Sequence, residues 1–293
     1  MSTKIEPMAF ESLPFTNNFL FTRIMEENPD LCVDLTELVL GRKVRGFKKD
    51  SLGKEHAVKI TPDSKGVRLD LYFEDSDALY DVEMQTTNEP DLPRRYRYYQ
   101  DMTDMAALDA GQEYGALPES YIVFLCTFDP FGEGHVKYEF QNYSLHDKPI
   151  PLGDGTKKVA ICAFGKEAEN DPTLNAFLKF MSTNEPTDDF TNRLCLAMND
   201  AKRSAKNRSE YMSYEMDRLR YGNQQKEEGR AEGRAEGRSE GLAEGRSEGL
   251  SEGKTSTMEL FQLIQNGEVD DVIISKLSCS EDDIQKARAI LGK

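Results

Sequence analysis

The chain has 293 residues, with 37 Lys and Arg against 53 Asp and Glu, and its formal net charge is −16 at pH 7. Because affinity for phosphates depends on the basic side chains placed against them, this balance excludes a protein that coats nucleic acid through a general positive field. Any contact with nucleic acid must come from local basic clusters.

Five cysteines are scattered along the chain without a Cys-x-x-Cys pair, and most of them lie in apolar surroundings. They predict reduced core residues of a cytosolic protein. The first residues lack the pattern of a signal sequence, and no apolar run approaches ~20 residues. We therefore expect a cytoplasmic protein with no membrane segment.

Two helices are predicted before the first strand. Residues 17–25 suggest a short helix, and a second helix starts with Pro29 behind a capping Asn28 and ends at Gly41. A basic stretch follows, and its Arg42 and Lys43 are candidate DNA-binding residues.

The pattern that follows predicts a β-hairpin. Residues 67–73 and 80–85 each alternate apolar and polar side chains, and the residues between them can form the turn. Because side chains alternate between the two faces of a strand, the apolar set lies on one face and the polar set on the other. Asp70, Glu83 and Gln85 can therefore converge on a solvated face.

The next helix, predicted over residues 94–110, carries the second basic cluster. Arg94, Arg95 and Arg97 are interleaved with tyrosines, and Tyr98, Met102, Met105 and Ala106 are the predicted apolar stripe. Residues 121–126 are typical of a buried central strand. Two edge strands and a helical region are expected at residues 136–143, 158–164 and from 172 onward. The fold class is α/β, with a mixed sheet flanked by helices.

Seven consecutive four-residue copies fill residues 227–254, each ending in Glu-Gly-Arg or a close variant. Each Gly disfavours a helix by roughly 1 kcal/mol relative to Ala. A four-residue step also overshoots the 3.6-residue turn, so no continuous apolar seam forms. The tract predicts a solvated tether or a marginal helix, and a self-associating stalk is the alternative.

The repeat divides the chain into three predicted parts. Residues 1–225 are a catalytic-sized domain, residues 226–255 are a linker, and residues 256–293 are a small helical module, expected as a hairpin whose last helix Ser280 can cap. Because so short a module has little core, we expect it to bury its apolar face against the body or a second copy, and to make the protein a homo-oligomer.

Two acids and an amide on one face, beside a helix rich in Arg, suit phosphodiester hydrolysis with a divalent metal. Mg²⁺ prefers hard oxygen ligands, so Asp70, Glu83 and the Met84 main-chain carbonyl are the candidate metal ligands. Gln85 can orient the attacking water, and Arg95 can contact phosphate. The alternative is that these acids are simply solvated on the polar face of the hairpin.

These residues resemble the PD-(D/E)XK nuclease superfamily, and most closely its Rpn-type branch of PD-(D/E)XK nuclease family transposases. Residues 68–72 and 80–85 are similar to that branch's Asp … Glu-x-Gln signature, in which Gln replaces the superfamily's Lys. Further similarity lies in residues 18–21, in Arg95 with Tyr98 and Tyr99, and in the Glu-Gly-Arg tail, so that it spans roughly residues 13–255.

The resemblance implies a restriction-endonuclease-like core, cleavage of DNA that depends on Mg²⁺ or Mn²⁺, and a link to recombination, mobile elements or defence. Two alternatives stay open at this point. One is a catalytically weak or inactive nuclease fold that serves as an interaction or regulatory module, and the other is a transposase that also joins strands.

Overall fold

The computed structural model describes residues 8–52, 57–58, 67–165 and 170–292, and the chain divides into two compact units, Met1–Glu215 and Met216–Lys293. The described helices are α1 (Asn18–Glu27), α2 (Pro29–Leu40), α3 (Leu92–Ala107), α4 (Pro172–Thr183), α5 (Asp189–Arg203), α6 (Ala205–Gln265), α7 (Asp270–Leu277) and α8 (Glu281–Leu291). The described strands are β1 (Ala57–Val58), β2 (Val67–Arg68), β3 (Tyr72–Glu74), β4 (Ala78–Gln85), β5 (Glu119–Cys126), β6 (Lys137–Phe140) and β7 (Thr156–Cys162).

The first unit is built on a five-stranded mixed sheet with the order β3-β4-β5-β7-β6. The three inner strands are parallel, and the edge strands β3 and β6 are antiparallel to their neighbours. In the register, Tyr80 lies opposite Tyr121 and Gln85 opposite Cys126, so Gln85 lies at the carboxyl end of the parallel strands. The predicted α/β class and the central position of β5 are confirmed.

The predicted first hairpin strand is broken where Asp70 lies. Its first part, β2, pairs with β1 in a separate two-stranded sheet, and the main sheet resumes only at β3. Side chains take the main-chain bonds of Asp70: its N–H donates to Glu83, and its carbonyl accepts from Thr22. These bonds replace the pairing that a continuous strand would make.

Both faces of the sheet are covered. On one face, side chains such as Tyr80 and Val82 of β4 join a core with α1, α2, α4 and α5. On the other face, α3 packs through Tyr96, whose ring stacks on Phe124 at 4.2 Å between centroids. The expectation of a solvated polar face on the hairpin is therefore wrong, because all eight residues of β4 are buried.

Local signals placed the helix ends well and the apolar stripe of α3 less well. Asn28 and Gly41 flank α2, and Gly41 has the left-handed φ of +66° that suits glycine. In α3, Tyr96 and Met102 are buried, whereas the predicted stripe residue Met105 is exposed. The buried stripe therefore includes Tyr96, whose hydroxyl donates a hydrogen bond to the Val159 carbonyl across the sheet.

The second unit contains most of α6 with α7 and α8. The repeat residues 227–254 are helical, and each of them is exposed. A small core joins the end of α6 to α7 and α8, with Ile264, Ile273 and Ile284 at its centre. The predicted hairpin is thus three helical segments, while the predicted cap is confirmed by the capping box of Ser280 with Asp283. Among the described residues, every helix is too short or too polar to cross a bilayer.

Candidate active site

Two hydrogen bonds from side chain to main chain link the segment at Asp70 to the segment at Glu83 and Met84. The Glu83 Oε1 atom accepts a hydrogen bond of 2.6 Å from the Asp70 N–H, and the Asp70 Oδ2 atom accepts one of 3.2 Å from the Met84 N–H. The Glu83 side chain is almost fully buried, and Asp70 is half-buried in the break before β3. The two candidate metal ligands are therefore brought together, as the sequence predicted.

Helix α1 adds two contacts to Asp70. The Asn18 Nδ2 group donates to Asp70 Oδ2 at 3.1 Å, and the Thr22 hydroxyl donates to the Asp70 carbonyl at 3.1 Å. Asn17 caps the helix, because its side chain accepts from the Leu20 N–H, and this fixes the first turn that carries Asn18. The sequence indicated Asn18 but not Thr22, although their i, i+4 spacing places both on one helix face.

A third acid, Asp81, lies behind this pair and was not assigned a role from sequence. It is completely buried on the same face of β4 as Glu83, and no hydrogen-bond donor in the described part of the chain reaches either carboxylate oxygen. Burial raises the pKa of Asp81 to about 8; the neighbouring Glu83 carboxyl lowers this pKa and the charge of Asp70 raises it by smaller amounts. The only sequence signal was its place in the polar alternation of β4.

Crowding of acids also affects Glu83. Burial raises its pKa well above the ordinary value, and the charges of Asp70 and Asp81 raise it further. Two or three negative charges in a water-poor site repel each other, so the site favours a bound cation or a proton. This is the electrostatic setting in which a divalent metal ion is stabilised.

Gln85 and Arg95 form a bonded pair at the carboxyl end of β4. The Arg95 Nη1 group donates to Gln85 Oε1 at 2.6 Å, and Nη2 donates to the Tyr99 hydroxyl at 3.1 Å. The Gln85 Nε2 group donates to the Thr87 carbonyl at 2.6 Å. The guanidinium also lies 5.4 Å from the Tyr99 ring and 5.5 Å from the Phe124 ring.

Arg95 remains charged in this setting. Burial alone would lower its pKa, but the hydrogen bond to Tyr99 and the charges of Tyr99 and Glu83 raise the pKa of Arg95 above its ordinary value. Its charge acts on the buried acids too, since it opposes the rise in the pKa of Asp81. The Arg95–Tyr99 contact follows from their i, i+4 spacing on α3.

The oxygen donors suit a hard cation. Asp70 and Glu83 supply carboxylates, which Mg²⁺ prefers and usually needs only one or two of, the rest of its shell being water and phosphate. In the described ranges, no set of three or more His, Cys, Asp or Glu side chains is placed to hold a metal ion. The Met84 main-chain carbonyl stays a predicted third ligand.

The predicted DNA-binding residues lie in two places. Arg94 and Arg97 are exposed on α3, one and two positions from Arg95. Arg42 lies instead 4.6 Å from the Tyr121 ring and 3.1 Å from Glu119, and exposed Lys43 is paired with Glu37 at 2.5 Å.

The Arg42 cluster is therefore separated from the acids. Tyr80 and Tyr121, near Arg42, lie toward the amino end of the parallel strands, five residues or about 16 Å along β4 from Gln85. Tyr80 also faces the opposite side of the sheet from Gln85, because side chains alternate along β4. The structure brings Arg94 and Arg97 to the site helix and does not bring Arg42 and Lys43 there.

Comparison with curated proteins and with solved structures gives no match. A family model described as PD-(D/E)XK nuclease family transposase matches residues 15–148, a shorter span than the predicted residues 13–255. The matched segment contains the whole site: Asn18, Thr22, Asp70, Asp81, Glu83, Gln85, Arg95 and Tyr99. Residues 15–148 of this chain, just under half of its length, are thus similar to the PD-(D/E)XK nuclease family transposases.

Proposed function

We propose that this chain is a divalent-metal-dependent DNA endonuclease that uses Mg²⁺ and accepts Mn²⁺. The observation that carries the proposal is the pair of hydrogen bonds in which the Glu83 carboxylate accepts from the Asp70 N–H and the Asp70 carboxylate accepts from the Met84 N–H. Two hard oxygen donors are thereby fixed next to each other before any ion binds. The match of residues 15–148 to the nuclease family model supports the same reaction class.

Each site residue has a task in this proposal. Asp70 and Glu83 hold the ion, with the Met84 carbonyl as a further ligand, and Asn18 keeps the Asp70 carboxylate in place. A bound divalent ion lowers the pKa of a coordinated water and neutralises charge on the scissile phosphate. Gln85 lies at the carboxyl end of β4, where its side-chain amide can form a hydrogen bond with the substrate or with the attacking water.

DNA is the proposed partner. Arg94 and Arg97 project from α3 beside the site, and they are the proposed contacts to phosphates that flank the scissile bond. Arg42 and Lys43 are proposed to contact DNA at a distance from the cleavage site. Because the chain is acidic overall, such focal contacts must supply the affinity, and it should fall steeply with salt. The proposed biological role of the cleavage is in recombination, in mobile elements or in defence.

The C-terminal region is proposed to make the protein a homo-oligomer. Its small core leaves Met258 and Ile290 largely exposed. A chain without residues 227–293 should keep or increase intrinsic cleavage and shift towards monomer in light scattering. A folded truncation that is still oligomeric and has lost cleavage would contradict this role.

The nuclease proposal is tested with supercoiled plasmid, Mg²⁺ or EDTA, and the variant Asp70→Asn. Asparagine keeps an oxygen that can accept from Asn18 and the Met84 N–H, but it lacks the charge that a metal needs. We expect nicking by the wild type only with metal, and a loss of about 1000-fold in Asp70→Asn, as several kcal/mol of metal stabilisation are removed.

The matched control is Asp217→Asn, which changes an exposed acid paired with Arg220 on α6 and should cleave like the wild type. Calorimetry with Mg²⁺ and Mn²⁺ accompanies the assay. A wild type that neither cleaves nor binds metal would favour the nuclease-fold interaction module instead. Full activity in Asp70→Asn would remove Asp70 from the site.

A further inference from the structure

We infer that Arg95 is a positioning residue that acts through Gln85, and that Gln85 in turn serves the reaction as a hydrogen-bond donor. This inference rests on the proposed nuclease function and assigns a chemical role within it. It replaces the expectations that Arg95 contacts the phosphate and that Gln85 orients the attacking water.

The orientation of the Gln85 amide is fixed by the chemistry of its two partners. A guanidinium can only donate, so the group that faces Arg95 at 2.6 Å must be the amide oxygen. A main-chain carbonyl can only accept, so the group that faces the Thr87 carbonyl at 2.6 Å must be the amide nitrogen. A flipped amide would place donor against donor and acceptor against acceptor.

This orientation favours Gln85 as a hydrogen-bond donor. The amide nitrogen carries two N–H groups, of which the bond to Thr87 uses one. The amide oxygen already accepts from a charged donor, which weakens it as an acceptor and strengthens the N–H groups as donors. Gln85 is therefore suited to an oxygen that gains negative charge, such as a phosphate oxygen in the transition state.

Arg95 uses both terminal nitrogens of its guanidinium in contacts within the protein. Nη1 is directed at Gln85 and Nη2 at Tyr99, and the plane lies close to the Tyr99 and Phe124 rings. Phe124 belongs to the buried central strand β5, whereas Tyr99 lies on α3 with Arg95. The guanidinium is therefore held by contacts with the sheet as well as with its own helix. Its exposed neighbours Arg94 and Arg97 are free of these constraints by position and suit phosphate contacts better.

The experiment is a double-mutant cycle of Gln85→Ala and Arg95→Ala, measured as kcat and KM for plasmid nicking. If Arg95 acts through Gln85, each single variant loses about 100-fold in kcat, and the double variant loses no more than Gln85→Ala alone. KM for DNA should stay within about twofold in Arg95→Ala, since this side chain does not hold the substrate.

Two more variants test the donor role and the fold. Gln85→Glu can still pair with Arg95 but has no N–H, so it should lose as much kcat as Gln85→Ala. Arg95→Lys restores a charged donor and should recover part of the loss. Arg23→Ala removes another half-buried arginine, one that pairs with Glu26 outside the site, and thermal melting of this variant shows what such a loss does to the fold.

Additive losses in kcat, or a raised KM in Arg95→Ala, would overturn the inference and return Arg95 to the phosphate. An active Gln85→Glu would overturn the donor role. Both results presuppose a wild type that cleaves, and a wild type without metal-dependent cleavage would overturn the nuclease proposal and this inference together.

Discussion

Strand β4 and the repeat tract 227–254 are both rich in acids, yet they place them in opposite settings. All eight residues of β4 are buried, including Asp81 and Glu83, whereas every residue of the tract is exposed. The contact that fixes Glu83 reaches 13 residues back along the chain to Asp70. By contrast, the Thr257 hydroxyl, just after the tract, donates to the Gly253 carbonyl only four residues back in the same helix.

This difference shows that the chemical behaviour of a glutamate or aspartate depends on its burial and on its hydrogen-bond partners. A glutamate on an exposed helix keeps its water, so its charge costs little and its contacts with neighbours stabilise by a few tenths of a kcal/mol. A glutamate in β4 has lost that water and gains compensation only from long-range partners. Substitutions that are equal in chemistry should therefore differ greatly in effect between the two regions.

The largest expected difference is between Glu83→Gln and Glu236→Gln. Glutamine at position 83 keeps an oxygen for the Asp70 N–H, so the fold should persist, but it removes a charged metal ligand. We expect a loss of about 1000-fold in metal-dependent nicking and weaker Mn²⁺ binding in calorimetry. Glu236→Gln should match the wild type in both measurements. Equal activity of the two variants would contradict the role given to β4.

Features of the site could be predicted from the sequence when the residues that fix them are close together along the chain. The ends of α2 are set by Asn28, Pro29 and Gly41 within one turn, and they could be read directly. Period-two alternation likewise placed Glu83 and Gln85 on one face of a strand. Each of these inferences uses residues that are close in sequence.

Features set by distant partners could not be predicted. The alternating pattern of β4 is typical of a strand with one solvated face, but α3 covers that face in the structure. The burial of Asp81 could therefore not be predicted from the pattern. The break at Asp70 depends on Thr22 from α1, 48 residues away. The separation of Arg42 from the acids depends on its pairing with Glu119, 77 residues away.

A second expected effect is on the stability of the first unit, where Gly165 lies close to the main chain of Val136. A Cβ atom on Gly165 would lie 2.6 Å from the Val136 nitrogen and 2.7 Å from its Cα atom, so main chain would have to move. Gly165→Ala should lower the free energy of unfolding by about 3 kcal/mol, which overpacking against backbone can cost. Thermal melting would measure it, and an unchanged Tm would show that this turn adjusts freely.

The buried acid of β4 gives a pH-dependent effect. Because the pKa of Asp81 is raised to about 8 in the folded protein, the folded state holds a proton that the unfolded state releases near pH 4. This contribution to stability is complete below that pH and is lost as the pH rises towards 8. Asp81→Asn does not titrate, and its N–H groups can donate to the Glu83 carboxylate.

We therefore expect Asp81→Asn to melt like the wild type at pH 4 and to be more stable than the wild type at pH 8, because each unit by which the pKa of Asp81 is raised is worth about 1.4 kcal/mol. For a domain of this size that is a rise of roughly 2–4 °C in Tm per kcal/mol. Asp77→Asn, at an exposed position in the turn before β4, is the control for a general loss of charge. A constant difference across pH would show that Asp81 is ionised in the folded protein.

The smallest expected effect lies in the repeat, where the sign of a Gly→Ala change should reverse. A Cβ atom on Gly237 meets nothing within 4 Å, and the residue is helical, so alanine should stabilise the helix by up to about 1 kcal/mol. Gly41 also has open space, but its φ of +66° strains alanine, so Gly41→Ala should destabilise the first unit by a similar amount. Far-UV circular dichroism during melting would measure both, with Gly229, Gly233 and Gly241 replaced together with Gly237 to enlarge the signal. Loss of helix in that fourfold variant would contradict the view that the tract is held by local backbone geometry alone.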